Sequence, residues 1–75
     1  MKNERLLRAR KEKGYTQEEL AKKLGYKWRS SYANWENGHI TPPLKVAMKI
    51  AEILEKDVEY LFFEGEVQDD HTNTA

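Results

Sequence analysis

The side chains that could do chemistry in this 75-residue chain are mostly cationic, and they are concentrated in its first half. Residues 1–30 carry ten basic and four acidic side chains, a net charge of +6, whereas residues 31–75 carry three basic and nine acidic ones, a net charge of −6. The formal net charge of zero is therefore a cancellation. Such an asymmetry indicates a nucleic-acid-binding face, a charged tail, or both. The simpler alternative is that these charges are solvated helix faces with no partner.

Catalytic and metal-binding chemistry has little support in the sequence. The absence of cysteine excludes disulfides, thiolate metal sites and thiol nucleophiles. His39 and His71 are one loop and one tail residue, and neither belongs to a cluster with the spacing of metal ligands. We find no nucleophile–base pair and no phosphate-binding loop. We therefore expect a protein that is not an enzyme and that uses no metal and no cofactor.

The length allows one small domain with a thin core, because a chain this short buries only about 60% of its unfolded surface. The longest apolar run is residues 60–63, far short of the roughly 20 residues that a membrane span needs. The charged N-terminus lacks the apolar segment of a signal peptide. We expect a soluble cytoplasmic protein without a membrane partner.

The helical spacing of apolar residues, together with the glycines that end each segment, predicts the helices that carry the basic side chains. A first helix over about residues 3–13 ends at Gly14, and its inner face is formed by Leu6, Ala9 and Arg10. The next helix begins with a capping box, TQEE at residues 16–19, and ends at Gly25. Its apolar stripe consists of Leu20, Ala21 and Leu24.

Three further helices follow. Serines at 30 and 31 are good N-caps, so we predict a third helix over about residues 31–37, with Tyr32 and Trp35 facing inward. A rigid proline connector leads to a fourth helix that begins at Pro43. Its broad apolar face contains Leu44, Ala47, Met48, Ile50, Ala51 and Leu54. Asp57 is predicted to cap a short last helix that holds Val58, Tyr60, Leu61 and Phe62. Five short helices, with the second and third joined by a tight turn, have the layout of a helix-turn-helix domain, which we predict over residues 1–63. We predict a flexible acidic tail over residues 64–75.

Two motifs place this chain beside a known family. RKEKGYTQEELAKKLG occupies residues 10–25, and WENG followed by a proline connector occupies residues 35–43. In this order and spacing the motifs resemble the phage-repressor type of helix-turn-helix, the Xre family, over about residues 3–63. The resemblance implies an all-α, compact five-helix domain of the lambda-repressor-like type. It also implies binding to double-stranded operator DNA, usually as a two-fold dimer, with the third helix in the major groove.

The resemblance also assigns roles to particular residues. Gln17 matches the glutamine that touches phosphate and braces the recognition helix, and Asn37 and His39 match the turn that contacts the next phosphates. Arg10 and Glu36 match an internal ion pair. The positions that face base edges correspond to Arg29, Ser30, Ser31 and Asn34.

One departure from the family pattern affects this assignment. Eleven steps separate Gly25 from Glu36, where the commonest form of the family has ten, so the turn is one residue longer. We place the extra residue at Lys27–Trp28, which leaves open whether Arg29 or Ser30 starts the helix. The bulky Trp28 is predicted either to lie against the DNA backbone or to cover the second helix.

The residue chemistry suits these roles. The fork of Arg29 can donate twice to guanine, and the amide of Asn34 can pair with adenine; a solvated side chain or a phosphate contact is the alternative for each. Ammonium groups supply charge without geometric selection, so we assign phosphate contacts to Lys22, Lys23, Lys27 and Lys45.

We therefore predict a sequence-specific regulator, most simply a repressor that binds an inverted repeat as a homodimer. Tyr60 and Phe63 are the candidate dimer contacts, because a chain this short cannot bury every C-terminal aromatic side chain. The alternative is an antitoxin-like or adaptor module that uses the same fold to hold a protein partner.

Overall fold

The computed structural model describes residues 2–63, which form five helical elements in a compact arrangement. No strand occurs in this part of the chain, so the predicted all-α five-helix class is confirmed. The predicted tail, residues 64–75, lies outside the described residues. The elements are α1 (Glu4–Glu12), α2 (Gln17–Lys23), α3 (Arg29–Glu36), α4 (Leu44–Leu54) and a π-helical turn (Glu59–Phe63).

The helix boundaries of α1 and α2 follow the local signals. The Thr16 hydroxyl accepts a hydrogen bond from the Glu19 N–H at 3.0 Å, and the Glu19 carboxylate accepts one from the Thr16 N–H at 2.9 Å. The predicted capping box is thus confirmed. Gly14 and Gly25 follow the C-cap residues of these helices at φ +81° and +90°, the left-handed conformation that ends a helix without a side-chain penalty.

The core lies where the inner faces of the helices meet. The predicted stripes on α1 and α2 are buried except for Leu24, which is half-buried, and Tyr32 and Trp35 of α3 join them with 0% and 5% exposure. The π-helical turn packs on α1 and contributes Leu61. The full set of buried apolar residues in this cluster is Leu6, Ala9, Leu20, Ala21, Tyr32, Trp35, Ile50, Ala51, Leu54 and Leu61.

The start of α3 differs from the prediction. The helix begins at Arg29, one of the two starts that the longer turn left open and two residues before the start at about residue 31, and its N-cap is Trp28, which makes no side-chain capping hydrogen bond. Ser30 and Ser31 therefore lie inside the first turn rather than at the cap. The serines look like caps locally, but the edge-to-face packing of Trp35 against Tyr26, with ring centroids 5.3 Å apart, anchors α3 to the preceding turn.

The buried face of α4 differs from the predicted one. Ala47, Ile50, Ala51 and Leu54 are buried, but Leu44 and Met48 are 63% and 56% exposed. The helix begins at Leu44, with Pro43 as its N-cap rather than its first residue. The prediction also left out Val46 and Ile53, which are half-buried and pack against the core, so the buried side of α4 is shifted relative to the predicted one.

Asn3 connects three elements that are distant in sequence. Its side-chain oxygen accepts from the Leu6 N–H at 3.0 Å, which caps α1. Its side-chain amide donates to the Leu61 carbonyl at 2.8 Å, and its backbone N–H donates to the Glu36 carbonyl at 2.7 Å. The end of α3, the start of α1 and the π-helical turn are therefore joined at one residue.

We expect Asn3→Ala to lower the free energy of unfolding by about 1–2 kcal/mol, because it removes an N-cap and leaves the Leu61 carbonyl without this donor. Urea denaturation followed by circular dichroism measures this value. Asn3→Ser is the matched control: serine keeps an N-cap oxygen but lacks the amide that donates to Leu61, so its effect should be smaller. An Asn3→Ala variant as stable as the wild type would contradict the assignment.

Candidate nucleic-acid interface

The segment from α2 to α3 forms two short helices joined by a five-residue turn, residues 24–28. Gly25 allows the chain to leave α2 sharply: its N–H donates to the Lys22 carbonyl, and the Tyr26 N–H donates to the Ala21 carbonyl. The Tyr26 ring then packs on the edge of Trp35. Because α2 and α3 also share the buried core, their relative orientation is rigidly held.

The outer face of α3 is polar. Ser30, Asn34 and Asn37 are spaced by four and three residues, so they lie on one side of the helix. Ser30 and Asn37 are exposed and Asn34 is half-buried, whereas Tyr32, Trp35 and Glu36 on the other side are buried. Ser31 is half-buried and lies away from the outer stripe. Ala33 lies next to the stripe, where its small side chain leaves space for an approaching partner.

A buried ionic network lies beneath α3. The Arg10 guanidinium donates to both oxygens of Glu36, at 2.6 and 3.3 Å, and to the Tyr15 carbonyl at 2.7 Å. The Tyr32 hydroxyl and the Gln17 amide donate to the same carboxylate, at 2.7 and 2.8 Å. Arg10 and Glu36 are only 7% and 3% exposed, so these hydrogen bonds replace the water that both charges lost on folding.

The network shifts the ionisation of its members. Burial acts to raise the pKa of Glu36, but the hydrogen bonds from Arg10, Tyr32 and Gln17 outweigh it and lower this pKa below its ordinary value of 4.5. The hydrogen bond to Glu36 raises the pKa of Arg10 against the opposing effect of burial. Burial, reinforced by the Glu36 carboxylate, raises the pKa of the Tyr32 hydroxyl. Glu36 is therefore charged and Tyr32 neutral at physiological pH.

This pKa shift predicts acid sensitivity. Because the pKa of Glu36 is lower in the folded state than in the unfolded state, its contribution is present above about pH 4.5 and is lost as the pH falls through the folded-state value. We expect the free energy of unfolding, measured by urea titration, to decrease as the pH is lowered below about 4.5. The double variant Arg10→Met/Glu36→Gln should lose less stability over the same range; an equal loss would assign the acid sensitivity to other carboxylates.

Gln17 connects the buried network to the surface. Its amide nitrogen donates to Glu36, and its side-chain oxygen accepts from the Arg29 guanidinium at 2.9 Å. Arg29, the first residue of α3, is therefore oriented by a relay that ends at the Arg10–Glu36 ion pair. The structure thus brings the candidate base-reading arginine next to the glutamine to which a phosphate contact was assigned.

The surrounding cations are exposed. Lys22 lies 3.7 Å from Glu18 in a solvated pair, and Lys23 lies 5.8 Å from the centre of the Tyr15 ring. Lys27 lies over the Trp28 ring, and Trp28 is 65% exposed. Asn37 and His39 are exposed directly after α3, and Lys45 is exposed near the start of α4.

The dimer candidates occupy a different part of the fold. The Tyr60 ring receives cation–π contacts from Arg5 and Lys56, at 5.1 and 6.0 Å. Phe63 is half-buried, with its ring centroid 6.3 Å from that of Phe62. Both residues belong to the π-helical turn.

Sequence reasoning missed the hydroxyl of Tyr32 and the contact between Gln17 and Arg29. A signal existed for the first, because Tyr32 and Glu36 are four residues apart on a helix and a buried tyrosine hydroxyl needs a partner. The second joins residues twelve positions apart in different helices, which no local pattern indicates. Within residues 2–63, no helix has the length and apolar character to cross a membrane, and no three potential metal ligands cluster together.

These features define a helix-turn-helix domain: α2 braces α3, and α3 presents a polar outer face. The pattern of the helix-turn-helix family matches residues 6–61, and the chain belongs to this family, of the Xre-like type. An uncharacterised HTH-type transcriptional regulator from Archaeoglobus fulgidus is 45% identical over 49 residues, which cover 65% of this chain and 69% of the relative. No solved structure gives a significant match.

Proposed function

We propose that this chain is a sequence-specific DNA-binding regulator of transcription, acting as a repressor, with α3 in the major groove of its operator. The observation that carries the proposal is the position of Arg29 at the N-terminal end of a polar helix face, held by Gln17 and the buried ion pair. Helix-turn-helix domains contact base edges with the first residues of the recognition helix. The family is a DNA-binding one, and the archaeal relative is named as a transcriptional regulator.

The contacts divide into two chemical classes. Base edges are read by groups with directional donors and acceptors, and we assign this role to Arg29, Ser30 and Asn34, with Ser31, half-buried beside this face, as a fourth candidate. Phosphates are bound by groups that supply charge or a single hydrogen bond. The proposed phosphate contacts are Gln17, Lys22, Lys23, Lys27, Trp28, Asn37, His39 and Lys45.

Selection of bound duplexes from a random pool tests this proposal, followed by titration of the enriched sequence at two salt concentrations. We expect one motif to be enriched, and its affinity to fall with salt by about one unit of logarithmic slope for each phosphate contact. Absence of binding at low salt would contradict DNA binding itself. Binding without enrichment would leave only non-specific association.

We propose that the active form is a homodimer on an inverted repeat, with half-sites separated by about one helical turn, roughly 34–36 Å. Tyr60 and Phe63 are the proposed contacts. Sedimentation of the wild type and of Phe63→Glu measures this directly: the wild type should sediment as a dimer and the variant as a monomer. Equal masses would reject this surface.

A protein partner is the second candidate function, and one observation favours it. Ile40, Leu44 and Met48 are large apolar side chains with 57%, 63% and 56% exposure in the connector and α4. Exposed apolar residues of this kind are suited to a protein contact. An antitoxin-like or adaptor role would leave operator selection without an enriched motif, which separates it from the leading proposal.

A further inference from the structure

Asn37 and Gly38, the two residues that follow α3, form a pair with a chemistry that DNA binding does not use. Asparagine is one of the thermolabile side chains of proteins. Its amide is most reactive when glycine follows, because glycine has no side chain to shield the backbone nitrogen that can attack the amide carbon. Of the four asparagines, at positions 3, 34, 37 and 73, only Asn37 precedes a glycine.

We propose that Asn37 is a site of spontaneous deamidation, and that this modification weakens DNA binding as the protein ages. The backbone nitrogen of Gly38 loses its proton and attacks Cγ of Asn37; the N–Cγ bond forms, the Cγ–Nδ2 bond breaks, and the amide nitrogen takes up a proton and leaves as ammonia. Water then opens the resulting succinimide at either carbonyl, which gives aspartate or isoaspartate. The modification is independent of the proposed function, whereas its effect on affinity rests on that function.

The structure leaves the Asn37 amide open to this reaction. Asn37 is the C-cap of α3, both it and Gly38 are exposed, and its side chain makes no hydrogen bond within residues 2–63. The side chain of Asn3, in contrast, is hydrogen-bonded at both ends, and Asn34 is half-buried and followed by Trp35. Sequence and exposure therefore both select Asn37 within the described part of the chain.

The backbone at the end of α3 limits the rate. Asn37 has helical dihedral angles, φ −75° and ψ −11°, and its N–H donates to the Ala33 carbonyl at 2.8 Å. The Gly38 N–H donates to the Trp35 carbonyl at 3.1 Å, so this hydrogen bond must open before the nitrogen can lose its proton and attack. Local opening of a helix end costs less free energy than unfolding of the whole domain. We therefore expect deamidation of the folded chain to be slower than that of the unfolded chain, but measurable.

The product places a negative charge where a phosphate is proposed to bind. The Asn37 amide can donate a hydrogen bond to a phosphate oxygen, whereas a carboxylate has no donor and repels the phosphate. The charge also lies at the C-terminal end of α3, where the helix dipole disfavours an anion. Neither effect depends on base identity, so affinity should fall for all sequences alike.

Peptide mapping by mass spectrometry tests the modification directly. After incubation of the intact chain at mildly alkaline pH, we expect the mass gain of exchanging NH₂ for OH at Asn37 before any gain at Asn3 or Asn34. The rate should rise with pH, because the Gly38 nitrogen must lose a proton. Asn37→Gln is the matched control: it keeps an amide but must close a larger ring, so it should stay unmodified. The chain unfolded in urea gives the unprotected rate; modification there but not in the folded chain would show that the proposal is wrong.

Anisotropy of a labelled duplex measures the effect on binding. Freshly purified Asn37→Asp should bind about tenfold more weakly than the wild type to matched and mismatched duplexes alike, the loss expected for one hydrogen bond to a charged group. Incubated wild type should lose affinity in proportion to its deamidated fraction, whereas Asn37→Gln should keep its initial affinity. Urea denaturation should show that Asn37→Asp is folded under the binding conditions.

The outcomes separate this inference from the proposed function. If Asn37 deamidates but Asn37→Asp binds like the wild type, the effect on DNA binding is wrong and DNA binding itself stands. If the wild type binds no duplex at low salt, the proposed function fails, while mass spectrometry still decides whether Asn37 is modified. Equal modification of Asn34 and Asn37 would overturn the selectivity that the structure predicts.

Discussion

Glu36→Ala should lower the free energy of unfolding by about 3–5 kcal/mol, because it leaves the Arg10 guanidinium buried without a counter-charge. Arg10 is 7% exposed, so the guanidinium that loses its carboxylate partner has little access to bulk water. Tyr32 and Gln17 lose their shared acceptor in the same variant. Small domains have about 0.05–0.15 kcal/mol of stability per residue, so this loss is a large part of the total. We expect the variant to be mostly unfolded or to unfold at very low urea.

Two variants make this prediction specific to the buried pair. Glu12→Ala removes a carboxylate from an exposed pair with Lys56, at 3.4 Å, and should change stability by less than about 1 kcal/mol. Arg10→Met/Glu36→Gln removes both charges while keeping a polar partner for Tyr32, and should recover most of the loss. Urea denaturation followed by circular dichroism measures all three. Equal effects of Glu36→Ala and Glu12→Ala would show that the buried pair is not important for stability.

Arg29→Ala should remove the preference for one base pair of the selected operator, a loss of about 1–3 kcal/mol of discrimination. One of the five guanidinium N–H groups is used by Gln17, so the fork can still donate to two acceptors of guanine. This geometry costs little entropy on binding, because the relay from Glu36 through Gln17 orients the side chain beforehand. Competition binding with the selected operator and its single-base variants measures the effect.

The hydrogen bond between Gln17 and Arg29 supports a second prediction about base preference. Gln17→Ala should weaken the same base preference, and its effect should not add to that of Arg29→Ala, because the two residues act through one hydrogen bond. Lys23→Ala is the control for a phosphate contact: it should weaken binding to all sequences and reduce the salt slope by about one. If Arg29→Ala weakens all sequences equally, Arg29 contacts phosphate rather than a base.

Much of the fold could be predicted because its signals are local. The capping box at Thr16, the glycines at the ends of α1 and α2, and the apolar stripes all depend on residues within one or two helical turns. The family motifs added the order of the helices and the pairing of Arg10 with Glu36. The sequence alone also shows that a net charge of zero is the sum of +6 in residues 1–30 and −6 in residues 31–75.

Only the tertiary structure shows which apolar residues are exposed and which side chains from different helices contact each other. Leu44 and Ala47 belong to the same apolar pattern, yet only Ala47 is covered by the neighbouring helices. The start of α3 at Arg29 could not be predicted from capping residues, because its N-cap, Trp28, makes no side-chain capping hydrogen bond. The contact of Arg29 with Gln17 exists because α2 and α3 pack together at one angle. Local patterns determine which helices form, whereas burial and partnership depend on surfaces that come together only when the whole chain folds.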